Sequence, residues 1–165
     1  MNNQDIIQVK EDEYGSSYKE HVLSIYKMYM EGIDKAIERR HKTNDFFLAL
    51  NTGILAFLGV MSKVSSEKLP IYIFVASIFG VIISTIWLKL ITAYRNINRG
   101  KYKVLHILEE QLPIVPYRLE WDVLSKGMDK KVYIPITSVE IGVPFIFMIF
   151  YLLLVLATYS FAFLL

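Results

Sequence analysis

Three long apolar runs interrupt an otherwise polar sequence, and they predict its main structural elements. The runs are Phe46–Met61, Ile71–Leu88 and Ile141–Leu165. A transmembrane helix needs about 20 mostly apolar residues to cross ~30 Å of hydrocarbon. The second run carries no charge and its helical pattern continues to Tyr94, while the third carries no charge at all. Both runs are therefore predicted to span a membrane.

The first run is shorter, and the distribution of charge decides whether it also spans. Lys and Arg concentrate in cytoplasmic loops and near the ends of spans. Basic residues collect before the first run and again between the second and third, whereas the linker between the first two holds only Lys63 and Lys68, offset by Glu67. If the first run spans, both basic segments lie on one side. We therefore predict three spans, a cytoplasmic N-terminus and a C-terminus, Leu165, on the outside.

The chain is predicted to be an all-α membrane protein with three transmembrane helices, an amphipathic N-terminal helix and a helical cytoplasmic segment between spans two and three. Apolar residues at three- and four-residue spacings from Val22 to Ile37 predict the amphipathic helix, which either packs on the rest of the protein or lies in the headgroup plane. The predicted segments are a polar, flexible tail (1–17), the amphipathic helix (18–45), span one (46–63), an outer loop (64–70), span two (71–94), the cytoplasmic segment (95–139) and span three (140–165).

Composition narrows the chemistry available to the chain. Of its 165 residues 54% are apolar, which exceeds the roughly 45–50% of a soluble domain and agrees with a membrane protein. The net charge of +2 is too small to indicate a nucleic-acid partner, and the absence of Cys excludes disulfides, Cys-ligated zinc and a thiol nucleophile. We expect no cofactor.

Small residues recur on one face of each of the first two spans. Four-residue spacing relates Ala49 to Gly53, and Ala76 to Gly80 to Ser84. Small residues let helix backbones approach closely in a membrane. These five residues are predicted to form a helix-packing or oligomer interface, either within one subunit or between subunits.

Two polar residues lie inside the first span. An unpaired amide at Asn51 would cost a few kcal/mol in hydrocarbon, so it must bond to a neighbouring helix or face water. Thr52 can bond to its own helix. Asn51 and Thr52 are therefore either interhelical polar contacts or part of a pore lining.

Basic residues flank the spans on the predicted cytoplasmic side. They orient the protein and are also candidates for contact with anionic lipid. The candidate lipid-contacting residues are Arg39, Arg40, Lys42, Arg95, Arg99 and Lys101.

Enzymatic chemistry has little support in the sequence. His106 and Glu109 share a helix face at a spacing that suits a metal, but no second His–carboxylate pair accompanies them, and a surface salt-bridge network is the favoured interpretation. Neither a nucleophile elbow nor a phosphate-binding glycine loop is present. We predict that the protein is not an enzyme and has no metal site; a membrane enzyme using His106 and Glu109 is the least favoured hypothesis.

A set of ordered stretches between Tyr26 and Tyr151 resembles a known family, the RipA-like small octameric inner-membrane proteins of bacteria. The matching stretches are Arg39–Arg40, Asn44, Phe46–Phe47, Asn51–Thr52, Tyr94–Arg95, Asn98, Lys101, Glu109, Leu112–Pro113, Pro116–Tyr117, Glu120–Trp121, Tyr133, Pro135, Thr137 and Glu140. The resemblance implies a homo-octamer in the bacterial cytoplasmic membrane. It implies no activity and no catalytic residues, and it does not cover Met1–Ser17.

These observations lead to two functional hypotheses. The first is a non-enzymatic scaffold or sensor that presents a ring of cytoplasmic helices to an unknown cytoplasmic protein. Its candidate docking residues are Glu109, Pro113, Pro116, Tyr117, Glu120 and Trp121. The second is an oligomeric pore or membrane-permeabilising effector, lined in part by Asn51, Thr52 and Ser84.

Overall fold

The computed structural model describes residues 8–64 and 67–163, the side chains of residues 64 and 161–163 excepted. Part of the predicted tail (1–7), two residues of the predicted outer loop (65–66) and the C-terminal Leu165 lie outside the described residues. Within them the fold is all-helical. The helices, in chain order, are α1 (Glu11–Tyr14), α2 (Tyr18–Val64), α3 (Leu69–Glu109), α4 (Pro116–Val123) and α5 (Ile136–Phe163), with a 3-10 turn at Ser125–Gly127.

Prolines mark several of the helix boundaries. α3 begins at Leu69 with Pro70 in its first turn, and α4 begins at Pro116. Proline suits a first turn because its missing N–H would have no partner there. The 47 residues of α2 contain no proline, and they form one helix that includes both the predicted amphipathic helix and the first apolar run. Whether residues 18–45 act as a separate amphipathic element stays a prediction.

Three of the helices, α2, α3 and α5, are long and apolar enough to cross a membrane. This finding confirms the prediction of three candidate spans in an all-helical fold. Only 11% of the most apolar stretch of α2, and of that of α5, is buried within the chain. The apolar surface left uncovered is what lipid or neighbouring copies would contact, since lipid tails solvate such faces as well as protein does.

The chain divides into two compact units. The span unit consists of Arg39–Ala93 and the part of the chain from Ile136 onward. Its core is formed by Phe47, Ile83, Trp87 and Ile91. Buried positions recur every seven residues, as from Ser77 to Ser84 to Ile91 in α3 and from Thr137 to Pro144 to Tyr151 in α5. Seven-residue recurrence is typical of helices that pack side by side at small crossing angles.

The polar unit consists of the part of the chain up to Glu38 and of Tyr94–Pro135. The first half of α2, the end of α3 and α4 meet in this unit around Tyr26, Ile33 and Leu105. Partly buried aromatic residues, among them Tyr102 and Tyr117, surround that core. The polar unit therefore has a small hydrophobic core of its own.

Candidate functional site

The span unit contains a buried polar contact between α2 and α3, centred on Asn51. This side chain is fully buried, and its Nδ2 donates a hydrogen bond to the Phe47 carbonyl oxygen at 2.8 Å. Its Oδ1 accepts a hydrogen bond from Ser84 Oγ at 3.3 Å. The amide is thus bonded inside the protomer. Thr52 lies beside it on the exposed side of α2 and bonds to the Leu48 carbonyl at 2.8 Å.

A third helix joins this contact through Tyr151, a residue that the sequence reasoning missed. Tyr151 is fully buried and its hydroxyl donates to the Asn51 carbonyl oxygen at 3.3 Å. Its ring lies on Gly80, where an added Cβ would come within 2.5 Å of the ring carbons. The available signal was a tyrosine deep within an apolar run, since a hydroxyl at that depth needs a partner. We call Asn51, Ser84 and Tyr151 the polar seam.

A second polar cluster in the span unit brings together side chains from α2, α3 and α5. Trp87 Nε1 donates to Asn44 Oδ1 at 2.9 Å, and Asn44 Nδ2 donates to Glu140 Oε1 at 3.3 Å. Arg40 Nε lies 3.6 Å from the same Glu140 oxygen. A cavity of about 130 Å³ adjoins the cluster and is lined in part by Asn44, Trp87 and Glu140. We call Arg40, Asn44, Trp87 and Glu140 the polar cluster.

The polar cluster corrects the expectation for Arg40. The sequence placed this residue among those that contact lipid headgroups, but it is only 8% exposed and forms an ion pair with Glu140. A buried guanidinium needs a counter-charge, and α5 supplies one. Arg39, Lys42 and Arg99 are exposed and Arg95 is partly exposed, so their contact with lipid stays a prediction.

Lys101, another of the candidate lipid-contacting residues, makes contacts within the polar unit. Its ammonium lies 5.4 Å from the centroid of the Tyr29 ring, within the range of a cation–π contact. It also lies 3.4 Å from where a Cβ of Gly32 would be. The small residue at position 32 thus leaves room for the Lys101 side chain, which is only partly exposed.

The predicted small-residue interface divides into two groups. Gly80 and Ser84 face inward, against Tyr151 and Asn51. Ala49, Gly53 and Ala76 instead line an open apolar groove of about 590 Å³ between α2 and α3, where a Cβ added at Gly53 would meet nothing within 4 Å. Only this second group has room for a neighbouring helix. We call the groove that Ala49, Gly53 and Ala76 line the span groove.

In the polar unit, Glu109 is fully buried and connects three helices. Its carboxylate accepts hydrogen bonds from the Tyr26 hydroxyl at 3.2 Å, the Tyr117 N–H at 2.9 Å and the Arg118 N–H at 3.0 Å. The two amides belong to the first turn of α4, whose N-cap residue, Val115, makes no side-chain capping bond. A carboxylate at a helix N-terminus satisfies free N–H groups and interacts favourably with the helix dipole. Glu109, at the end of α3, therefore caps α4.

The tyrosines around Glu109 are harder to ionise than usual. Burial, and after it the charge of Glu109 and the hydrogen bond to it, raise the pKa of Tyr26 from 10.0 to about 12. Burial is also the main cause that raises the pKa of Tyr102 and of Tyr117. These tyrosines are accordingly neutral hydrogen-bonding groups over the physiological range.

The predicted docking residues also differ in accessibility. Pro113, Pro116, Glu120 and Trp121 are exposed and Tyr117 is partly exposed. Glu109 is buried, so it positions α4 and cannot itself reach a partner. Its two oxygens accept three hydrogen bonds, and a metal shared with His106 stays the least favoured hypothesis.

α4 has no buried residue, although Glu109 holds its first turn in place. The large apolar side chains of Ile114, Leu119 and Val123 are 71%, 63% and 69% exposed. Sequence reasoning did not single out these three residues, although the four-residue spacing of Leu119 and Val123 would place them on one helix face. We call Ile114, Leu119 and Val123 the α4 surface. Trp121 is two residues from Leu119 and Val123 and hence on another side of the helix, where its ring contacts Gly127 and Tyr133.

Comparison with known proteins identifies a membrane-protein family. No curated protein and no solved structure matches the chain. A family model described as the octameric membrane protein family matches residues 23–160, most of the chain. The resemblance found in the sequence is thereby confirmed at the level of an octameric membrane family. The chain belongs to the octameric membrane protein family.

Proposed function

We propose that this protein is a non-enzymatic, homo-oligomeric scaffold or sensor of the bacterial cytoplasmic membrane, which presents the α4 surface to a cytoplasmic protein. The family description supports an oligomeric membrane protein. The excess of basic residues before the first span and between the second and third supports a cytoplasmic position for the polar unit. The α4 surface supports the remaining part of the proposal, the scaffold function.

The observation that carries the proposal is the conformation and exposure of α4. An eight-residue helix without a buried residue has little reason to stay folded by itself. Glu109 nonetheless fixes its first turn through two backbone hydrogen bonds. A fixed apolar surface outside the spans is typical of a protein-binding site. The helix is thus held in a conformation suited to a partner.

Photo-crosslinking in cells tests this proposal. A photo-reactive amino acid at Leu119 should give a discrete adduct whose mass differs from any multiple of the chain. The matched control is Leu23, an exposed leucine of the same unit. The control position should not give that adduct. Val123→Asp, with the photo-reactive residue kept at position 119, should abolish the adduct. Leu119→Asp with Val123→Asp should abolish any cellular phenotype of the protein, while native mass spectrometry finds the assembly unchanged.

Two results would contradict the proposal. Adducts only at whole multiples of the chain mass would mean that neighbouring copies cover α4. An unaltered phenotype in the double aspartate variant, with the protein present and assembled, would mean that the α4 surface has no role in function.

A pore is the second candidate function, and Asn51 is the residue on which it depends. The amide of Asn51 is fully buried and bonded to Phe47 and Ser84, which supports a packing role. Asn51→Leu should therefore cost about 1 kcal/mol of stability, typical of one interhelical hydrogen bond in a membrane. It should leave the conductance of reconstituted bilayers unchanged. Conductance that is present in the wild type and absent from Asn51→Leu would favour the pore instead.

The non-enzymatic part of the proposal has its own test at His106. Glu109 is buried and its carboxylate already accepts three hydrogen bonds, which disfavours a metal shared with His106. His106→Ala should accordingly leave metal content and cellular function unchanged. Loss of a stoichiometric metal in that variant would revive the enzyme hypothesis.

A further inference from the structure

The segment between α4 and α5 forms a fixed turn. Ser125, Lys126 and Gly127 have φ angles of 53°, 54° and 71°, three consecutive residues in the left-handed region. That region is costly for Ser and Lys and persists when surrounding contacts enforce it. Trp121 supplies one such contact, since its ring lies 3.2 Å from where a Cβ of Gly127 would be. We call residues 126–135 the basic turn.

The basic turn exposes apolar and cationic side chains together. Met128 is 80% exposed, Ile134 60% and Val132 52%, which are unusual values for large apolar residues in water. Lys130 and Lys131 are exposed in the same segment. Side chains of these two kinds, side by side, match the layer where lipid headgroups meet acyl chains.

The positive charge of the turn is largely uncompensated. Residues 126–135 hold three lysines and one aspartate. Lys126 pairs with Asp122 at 3.3 Å, and Asp129 Oδ1 accepts the backbone N–H of Lys131 at 2.8 Å. Among residues 8–64 and 67–163, no carboxylate forms an ion pair with the ammonium group of Lys130 or Lys131. Two lysines therefore remain available for an anionic surface.

Covalent connection keeps the turn near the membrane. α5 begins at Ile136 and its 28 residues extend ~42 Å at ~1.5 Å each, which exceeds ~30 Å of hydrocarbon and leaves room for its first turns in the headgroup layer. A chain reaches at most ~3.6 Å per residue, which keeps Val132 within ~14 Å and Ile134 within ~7 Å of Ile136. Val132 and Ile134 are thus close to the membrane that α5 enters, and the chain keeps Met128, eight residues before Ile136, within ~29 Å of Ile136.

We propose that the basic turn binds the anionic phospholipid surface beside α5, with Met128, Val132 and Ile134 inserted among the headgroups and Lys130 and Lys131 on lipid phosphates. Charge complementarity and continuity with the span favour a lipid surface over a protein partner. This binding site is separate from the α4 surface. Lipid binding there would anchor the segment that connects α4 to α5.

A reporter at Met128 tests the proposal directly. The chain has no Cys, so Met128→Cys gives a single attachment site for an environment-sensitive fluorophore. Met28→Cys is the matched control, a 65% exposed methionine of the same unit on α2. Both are placed in nanodiscs of phosphatidylcholine alone and of phosphatidylcholine mixed with phosphatidylglycerol. Lipids carrying a quencher near the headgroup report contact with the membrane.

We expect the reporter at position 128 to be blue-shifted and quenched in the anionic nanodiscs, and the reporter at position 28 to remain in water in both. Lys130→Gln with Lys131→Gln should weaken docking about fivefold per lysine removed. The attraction of one lysine to an anionic surface corresponds to about that factor in affinity. Leu119→Ser with Val123→Ser, which removes the same apolar side chains of α4 without adding charge, should leave the signal unchanged, which separates this proposal from the scaffold function.

Three results would overturn the proposal. A water-exposed reporter at position 128 in anionic nanodiscs would exclude docking. Equal quenching in neutral and anionic nanodiscs, or quenching unaffected by the two lysine changes, would exclude recognition of charge. A blue shift without quenching by lipid would assign the turn to a neighbouring copy.

Discussion

Among individual residues, Glu109 has the widest structural consequences, because one carboxylate connects three helices of the polar unit. It accepts the Tyr26 hydroxyl from α2 and two amides from α4 while itself ending α3. Glu110, next in sequence, is bound at the surface to Arg118 at 2.7 Å, with the Arg118 side chain 52% exposed. The two neighbouring acids therefore differ in burial and should differ in how much each stabilises α4.

Removing Glu109 should release α4. Glu109→Ala leaves two amides and a hydroxyl without their acceptor, which should cost about 3 kcal/mol. Hydrogen exchange of the α4 amides, followed by mass spectrometry in nanodiscs, should accelerate about a hundredfold. Glu110→Ala is the control, and its exposed pair should change the exchange of α4 by less than about fivefold. Equal effects of the two variants would contradict the capping role.

Tyr26 predicts a loss of stability at high pH. Its pKa is 10.0 in the unfolded chain and about 12 in the fold, so the folded state holds the proton more tightly. The stabilisation, about 2–3 kcal/mol, is complete below pH 10 and is lost as the pH rises through 12.

This dependence is measurable as the free energy of unfolding in detergent against pH. Tyr26→Phe should flatten the decline between pH 10 and pH 12. Some decline remains, because the pKa values of Tyr102 and Tyr117 are raised as well. A wild-type curve without slope in this range would contradict the assignment.

At the scale of helices, small residues and polar side chains determine how the three spans fit together. Gly80 lets Tyr151 of α5 approach α3, and Asn51 links α2 to both. Arg40, Asn44 and Glu140 make a second connection at another level of α2 and α5. Polar contacts of this kind fix helix rotation, since each alternative rotation leaves a polar group in hydrocarbon without a partner.

Two glycines in the spans should respond differently to the same added methyl group. Gly80→Ala places a Cβ 2.5 Å from the Tyr151 ring and should destabilise the span unit by about 1–3 kcal/mol. Gly53→Ala meets nothing within 4 Å, so only the higher helix propensity of Ala acts there and the protomer should not be destabilised. Unfolding in detergent measures both. Equal destabilisation of the two variants would mean that Tyr151 does not pack on Gly80.

At the scale of the whole molecule, the family description indicates that several copies of the chain assemble into an octamer. The chain belongs to an octameric membrane protein family. Most of the apolar surface of α2 and α5 is uncovered within the protomer, and the span groove is open. In a closed ring every copy presents two different complementary surfaces to its neighbours. The span groove is our candidate for one of them.

Native mass spectrometry of the extracted complex should give the mass of eight copies. Gly53→Leu would fill the span groove and should shift the distribution to smaller species, because overpacking a contact costs about 1–3 kcal/mol. Gly59→Leu is the control, since Gly59 lies in α2 with equally open surroundings but outside the groove. An octamer retained in Gly53→Leu would mean that the groove faces lipid, and a monomeric wild type would contradict assembly altogether.

Sequence reasoning predicted the elements of this protein better than the orientation of their side chains. The three candidate spans and the octameric family were confirmed. Gly80 and Ser84 were correctly noted as small residues, but the sequence left open whether they pack within or between subunits. Arg40 was expected at the lipid surface and lies inside, whereas Tyr151 was overlooked. A helix pattern gives the period of a buried face, yet neighbouring helices decide which residues on it find partners.

The sequence by itself determined the three candidate spans, the helical class and the family of this protein, because apolar length and the order of residues are properties of the chain that need no knowledge of packing. The tertiary structure alone decided the burial of Glu109 beneath α4, the turning of Arg40 toward Glu140 and the contact of Tyr151 with Gly80. These contacts join residues that are far apart in the sequence, as Arg40 with Glu140 and Gly80 with Tyr151. A buried polar group is stable only where distant elements bring it a partner.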